Sequence, residues 1–260
     1  MSNSPLVSCT KISPNKNSPR NHAIDRISIH CVVGQCTAER IGEIFAPTSR
    51  QASSNYGIGL DGRIGMYVEE KDRSWCTSSG ANDHRAVTIE VASDTTHPYA
   101  VKDAAFSALL DLCTDICKRN GKTKLLWFAD KDKTLAYTPK ADEMVLTVHR
   151  WFAAKACPGD YLYNRHGEIA ATVTARLSGS AAGQTTPATP ATSTVTPYLV
   201  RVKIDDLYIR TEASNKSADK GFIKPGVYTI VAEADGPGAT KWGKLKSGAG
   251  WISLDYATKL

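Results

Sequence analysis

No window of the 260-residue chain approaches the ~18 consecutive apolar residues that span a bilayer. No membrane-spanning helix is therefore expected. The opening MSNSPLVSCTK (residues 1–11) lacks a basic segment followed by an apolar core, so no export signal is visible and synthesis in the cytoplasm is the expectation. Excess charge is scarce too. The 32 basic and 26 acidic residues leave +6, which does not argue for nucleic acid and fits equally a polyanionic surface such as a bacterial wall. Seven cysteines (Cys9, Cys31, Cys36, Cys76, Cys113, Cys117 and Cys157) form an odd set without the spacing of a disulfide framework. In a reducing compartment they read as buried thiols, metal ligands or both. No internal repeat is visible. What is present, 42% apolar and 22% charged residues, is the composition of an ordinary globular protein with a real hydrophobic core.

The clearest boundary is SGSAAGQTTPATPATSTVTP, Ser178 to Pro197, which carries no charge and is dominated by Ser, Thr, Ala and Pro. Such a segment buries too little apolar surface to offset its ordering entropy, and it reads as a semi-extended linker. Three regions follow: a larger domain over 1–177, the linker over 178–197 and a smaller domain over 198–260. Both domains carry +3, with 22 basic against 19 acidic residues in the first and 10 against 7 in the second.

The first domain alternates strand-like and helix-like stretches, which predicts an α/β fold. IDRISIHCVV (Ile24 to Val33) and AVTIEVA (Ala86 to Ala92) are β-branched and strand-like. TAERIGEIF (Thr37 to Phe45) offers a Thr cap, an early acid and a closing Pro47 for a short helix. YGIGLDGRIGMY (Tyr56 to Tyr67) predicts a hairpin turning at Asp61-Gly62. Between Ala100 and Gly121, one helical stripe collects Phe106, Leu109, Leu110, Cys113, Ile116 and Cys117, which makes the two cysteines core filler. After the linker only short strands appear (YLVRV, LYIR, GVYTIV, WGKL and GWIS), separated by Gly, Pro and Asp turns, and these predict a small all-β barrel.

One stretch concentrates chemistry. HRWFAAKACP, His149 to Pro158, sets a histidine, a lysine and a cysteine close together. Zinc favours imidazole nitrogen and thiolate sulfur, and a catalytic zinc keeps one tetrahedral position open. His149 and Cys157 supply two such donors, and His30, at the end of the strand Ile27-Ser28-Ile29-His30, is the best candidate for a third. Taken singly, His30 reads equally as a hydrogen-bonded core histidine, Cys157 as a buried thiol and Lys155 as a solvated lysine.

The segments IHC around His30, SNYGI around Tyr56, AVTIEV around Glu90 and HRWFAAKACP resemble, in order and spacing, the zinc amidases of the phage T7 lysozyme and peptidoglycan-recognition protein superfamily. The resemblance covers about residues 20–177. It implies a mixed central β-sheet flanked by helices, with Zn²⁺ held by His30, His149 and Cys157. It also implies Lys155 facing the substrate carbonyl and a catalytic role for Tyr56, which in the T7-type members hydrogen-bonds the water or the oxyanion. Glu90 lines up with a glutamate that serves as the base in AmpD-like members. Many members carry Trp-His-Ala-Gly where this chain reads WCTSSG (Trp75 to Gly80), so Cys76 stands where a cleft histidine is common. Cys76 and His84 are candidate substrate contacts, and Trp151 and Phe152 are candidates for sugar stacking or for core.

Residues 198–260 resemble bacterial SH3-like (SH3b) domains, which bind cell walls, with Tyr208, Tyr228 and Trp242 as candidate surface aromatics. Together the resemblances imply an N-acetylmuramoyl-L-alanine amidase of endolysin or autolysin type. Its partner would be peptidoglycan, engaged by the cleft and by the SH3-like domain, and it would reach the wall after holin-type or lytic release. Two other classes stay open: a wall hydrolase with Cys157 or Cys31 as nucleophile, and a peptidoglycan-binding protein without catalysis.

Overall fold

The computed structural model describes residues 2–178, 193–205, 207–215, 217 and 219–260. Two compact units result, Met1–Ala182 and Gly183–Leu260. The expected linker over 178–197 falls largely on residues 179–192, outside the described residues. Among the described residues, no helix is long and apolar enough to cross a membrane.

In the first unit the strands are β1 (Val7–Thr10), β2 (Lys16–Asn17), β3 (Arg26–Cys31), β4 (Tyr56–Ile58), β5 (Ile64–Met66), β6 (Arg73–Ser74), β7 (Ala86–Val91), β8 (Lys124–Leu126) and β9 (Glu143–Thr147). The helices are α1 (Ala38–Phe45), α2 (Gly80–Asp83), α3 (Asp103–Arg119), α4 (Lys131–Ala136), α5 (Gly159–Tyr163) and α6 (His166–Leu177). Seven strands form one mixed sheet in the order β1-β5-β4-β7-β3-β9-β8. Only the β4–β5 hairpin is antiparallel. Its turn carries Gly62 at φ +84°, a conformation that side chains with a Cβ avoid. The Thr37 hydroxyl accepts from Arg40 N to cap α1, as expected, and the helix stops just before Pro47.

Strand alternation sorts the chemistry. Ile27, Ile29 and Cys31 of β3 join Val87, Ile89 and Val91 of β7 in a core shared with Leu109, Leu112 and Ile116 of α3 and Ile169 and Val173 of α6. Cys113 and Cys117 are buried in that core, as the helical stripe required. The intervening residues Arg26, Ser28 and His30 face the other way, in register with Ala86, Thr88 and Glu90. On this second face Tyr67 lies flat over the hairpin: a Cβ at Gly57 would sit 2.6 Å from its ring, so glycine is required there. Tyr67 also packs against Ile41 and Phe45 of α1, so helices flank both faces of the sheet.

Two buried polar clusters tie loops to this frame. Arg20, almost fully buried, donates to the carbonyls of Glu70, Asp72, His84 and Ala86, joining the segment before β6 to the start of β7. Glu70 has no exposed side-chain surface and receives two guanidinium nitrogens of Arg119, at 2.6 and 2.9 Å, together with the Tyr56 hydroxyl at 2.7 Å.

The second unit contains β10 (Ser193–Val202), β11 (Leu207–Arg210), β12 (Asp219–Ile223), β13 (Gly226–Gly236), β14 (Ala239–Leu245), β15 (Trp251–Ser253) and β16 (Ala257–Lys259). They form an entirely antiparallel sheet in the order β12-β11-β15-β14-β13-β10-β16. Val200, Val202, Leu207, Ile223, Ile230, Leu245 and Ile252 make one core, and Trp242 and Trp251 close a second, alanine-lined one. The all-β expectation holds here, with β12 and β16 added to the strands legible in the sequence.

Breaking a buried ion pair from one side strands the other charge, which costs about 3 kcal/mol. Arg119→Leu is accordingly expected to lower unfolding stability by roughly that amount, read from the urea midpoint at constant slope. A variant with an unchanged midpoint would show that Glu70 is satisfied without its partner.

Candidate metal centre and cleft

Three segments bring their donors to one end of the sheet. β3 ends beside β7 with His30 directly opposite Glu90. Neighbouring β9 runs parallel to β3 and is followed, after Val148, by His149 in a short 3-10 turn, His149–Trp151. The chain then loops back: Arg150 N donates to Cys157 O at 3.2 Å, and the Arg150 guanidinium donates to Ala156 O at 2.7 Å and to Asp160 Oδ1 at 3.0 Å. That pinning is why a histidine and a cysteine eight positions apart become spatial neighbours. The carboxyl end of parallel strands is where open α/β sheets gather ligand-binding side chains.

Donor atoms of His30, His149 and Cys157 lie within 4.8 Å of one another. Cys157 Sγ is 3.3 Å from His30 Nδ1, and the His30 and His149 ring centroids are 5.1 Å apart. Around a tetrahedral zinc, sulfur and nitrogen ligands sit about 3.5 Å from each other, given Zn–S near 2.3 Å and Zn–N near 2.0 Å. The spacing and the soft, neutral-nitrogen donor set therefore fit zinc. His30, Cys76 and Glu90 form a second such group that shares His30. Among the described residues neither His30 Nε2 nor Glu90 Oε2 meets a hydrogen-bonding partner, so the cluster holds polar capacity that these residues do not use.

Burial drives the electrostatics. It holds His30 neutral, with His149 and His166 acting in the same direction. Burial and the Lys155 ammonium likewise lower His149, and neutral imidazoles are what a metal requires. Glu90, with 13% of its side chain exposed, is pushed up to about 7 by desolvation. The neighbouring Cys31 thiol, and then burial, raise the Cys157 thiol, while proximity to Cys157 lowers Cys31. Cys76 Sγ lies 3.9 Å from Glu90 Oε1, and burial, then the Glu90 carboxylate, raises its thiol.

His149 and Cys76 also line a cleft of about 350 Å³ together with Arg50, Arg73, Ser78 and the exposed Lys155. Its rim is cationic. Buried Asp83 shapes the wall by accepting from the backbone nitrogens of Cys76 and Thr77 and from the Thr77 hydroxyl. Ser78, in the left-handed region at φ +61°, places Oγ 3.0 Å from His149 Nε2. The same serine borders a second hollow of about 560 Å³ lined by Arg26, Asn82, Arg85, Lys131, Trp151 and Phe152. Trp151 is nearly buried and stacks on Trp127 with centroids 5.0 Å apart, whereas half-buried Phe152 forms wall.

Two expected site residues lie elsewhere. Tyr56 pairs in register with Ile89, one position before Gly57 pairs with Glu90, so its side chain enters the helix-covered core. Its hydroxyl donates to Glu70 and accepts from Ser4 N. His84 stands at the opposite end of β7 from Glu90, and its Nδ1 accepts from Asn21 N. Neither reaches the cluster. Ser78 and Cys31 do reach it.

In the second unit, exposed Tyr208 packs on exposed Phe222, 4.5 Å between centroids, and borders a hollow of about 250 Å³ with Arg210, Asn215 and Tyr256. Trp242 contributes only an edge from the core, and the Tyr228 hydroxyl is tied to Lys224 O.

The Amidase_2 family, described as N-acetylmuramoyl-L-alanine amidase, matches residues 20–160, and the chain belongs to this family. No curated protein matches it. Similar solved structures include the catalytic domain of XlyA, with 14% identity, TM-score 0.46, and coverage of 64% of this chain and 99% of that one. They also include the N-acetylmuramoyl-L-alanine amidase LysC from Clostridium intestinale URNW, with 15% identity, TM-score 0.42, and 62% and 95% coverage. A third is the Drosophila peptidoglycan recognition protein SA, with 16% identity, TM-score 0.41, and 59% and 81% coverage.

The placement of Tyr56 makes its own prediction. Tyr56→Phe removes both the bond donated to the buried Glu70 carboxylate and the one accepted from Ser4 N, and is expected to cost about 2–3 kcal/mol of stability. Activity per folded molecule should stay within about twofold of the parent, since a change below ~0.4 kcal/mol in barrier is no more than that. A hundredfold loss of turnover in a fully folded variant would return this residue to the site.

Proposed function

We propose that the chain is a zinc-dependent peptidoglycan hydrolase that cleaves the amide between the muramic acid lactyl group and L-alanine of the stem peptide. Family membership supports the bond, and the observation that carries the reading is the convergence of His30, His149 and Cys157 beside Glu90. These three side chains would hold the ion. When bound, zinc supplies Lewis acidity that polarises the scissile carbonyl and acidifies water.

The chain's own residues do the rest. Glu90, whose Oε2 meets no partner among the described residues, accepts a proton from the attacking water and returns it to the departing amine of L-alanine. Lys155 extends its ammonium into the cleft, where negative charge develops on the carbonyl oxygen. Cys76 stands beside Glu90 and narrows that side of the cleft. The second unit acts as an SH3-like wall-binding module that raises the enzyme's local concentration on its polymer. Tyr208, Phe222 and Tyr256 are its contact aromatics.

A thiol mechanism has one observation in its favour, the 3.3 Å approach of Cys157 Sγ to His30 Nδ1. Yet the neighbouring Cys31 thiol and burial push the Cys157 thiol up, and burial holds His30 neutral, the reverse of a thiolate–imidazolium pair.

Purified protein should carry one zinc per chain, lose activity to a chelator and regain it with Zn²⁺. Mass spectrometry of digested wall should find free L-alanine amino termini with intact glycan strands. Glu90→Gln should lower turnover by 10²–10⁴-fold with zinc retained. Cleavage at a glycosidic bond or a cross-link, or chelator-resistant activity blocked by alkylation, would overturn the proposal. For the second unit, Tyr208→Ala and Tyr256→Ala should each weaken co-sedimentation with purified wall by about fivefold, near 1 kcal/mol per aromatic contact. Hydrolysis of soluble fragments should be unaffected.

A further inference from the structure

The imidazole of His149 can serve a metal through either ring nitrogen, and its neighbours decide which one is available. In a neutral imidazole one nitrogen carries the proton and the other offers a lone pair. His149 Nε2 lies 3.0 Å from Ser78 Oγ. A serine hydroxyl accepts as well as donates, so it can receive the Nε2 proton and leave Nδ1 bare.

Ser78 is also held where a serine is disfavoured. It sits at φ +61°, a left-handed conformation that glycine adopts without cost and most L-residues avoid. The segment around it is fixed from below: Asp83 accepts from Cys76 N and Thr77 N, and the Ser79 hydroxyl caps α2 by accepting from Asn82 N. The strained backbone therefore delivers one hydroxyl to the outer nitrogen of a residue in the donor cluster. Ser78 borders both the 350 Å³ cleft and the 560 Å³ hollow, and its hydroxyl is turned to the ring while that of Ser79 caps α2.

We propose that Ser78 is a positioning residue for His149: its hydroxyl accepts the Nε2–H, locks the imidazole in one tautomer and orientation, and leaves Nδ1 as the nitrogen that binds the metal. The metal half of this statement rests on the zinc reading above; the tautomer half does not. Partners of this kind, one bond beyond a ligating histidine, are worth 10–100-fold in metal affinity.

Two substitutions separate the hydroxyl from the backbone. Ser78→Ala keeps a Cβ at the left-handed position, and Ser78→Gly relieves it. In the full-length protein, zinc affinity measured against a chromophoric chelator should fall 10–100-fold in both. The urea midpoint of the metal-free protein should be unchanged for the alanine variant and unchanged or higher for the glycine variant. A purely structural role for Ser78 would move the midpoint and leave the affinity alone.

Imidazole nitrogen shifts in the metal-free protein give a readout independent of zinc. His149 should be protonated on Nε2 in the parent and should show a mixture of tautomers once the hydroxyl is gone. Zinc affinity unchanged or tightened in both variants overturns the proposal, as does a parent His149 protonated on Nδ1. Should the parent bind no zinc at all while its His149 is the Nε2–H tautomer, the zinc reading fails and the positioning role stands.

Discussion

Parallel pairing of β3 with β7 is the constraint on which the site depends. It sets His30 against Glu90 and, through strand alternation, assigns every second residue of both strands to the helix-packed core. A slip of one residue would bury the imidazole and carboxylate among Leu109, Leu112 and Ile116 and turn Ile29 and Ile89 to the cleft. The apolar set thus holds the face bearing His30 and Glu90 in place at a distance, because moving it would expose fully buried isoleucines to water. His149 and Cys157 are added to this edge by different means. One follows the end of the adjacent strand, and the other is returned by Arg150, whose backbone and guanidinium both bond the loop.

Much of this was legible before any coordinates. The three donors stand out because imidazole and thiolate types recur at strand ends and before a proline, and their spacing matches a known superfamily. The helix at Thr37, the Asp61-Gly62 hairpin and the cysteine stripe of α3 follow from local rules that tertiary context did not override. Tyr56 and His84 stand apart from the donor cluster for geometric reasons. Tyr56 is one residue out of phase with Glu90, and parity along a three-residue strand cannot be read from a Tyr-Gly-Ile run. His84 precedes Glu90 in the same segment yet lies at the far end of the strand.

Other features carry no local signature. The Glu70–Arg119 pair spans 49 positions, and Cys31 lies far from Cys157 in sequence though both belong to the same packed cluster. Ser78 resembles any exposed loop serine; the one available signal was a serine-serine-glycine run preceding a short helix, which suggests a cap but says nothing of a histidine 71 positions later. Edge strands such as β1 and β8 are short and half-exposed, so their periodicity is too brief to recognise.

The floor beneath the donor cluster is a buried hydrogen-bonded network into which Arg26 donates through Asn82 Oδ1. Ser28 bonds Thr147, Asn82 bonds Ser28, and Ser74, Thr88 and Asn55 bond one another, all buried. These groups are fixed by the fold and shielded from solvent, so ionic strength screens their field far less than it screens exposed charges. The rim is the opposite case, because Arg50, Arg73 and Lys155 border open solvent. Salt should therefore weaken whatever the exposed rim attracts while leaving the buried floor nearly unchanged.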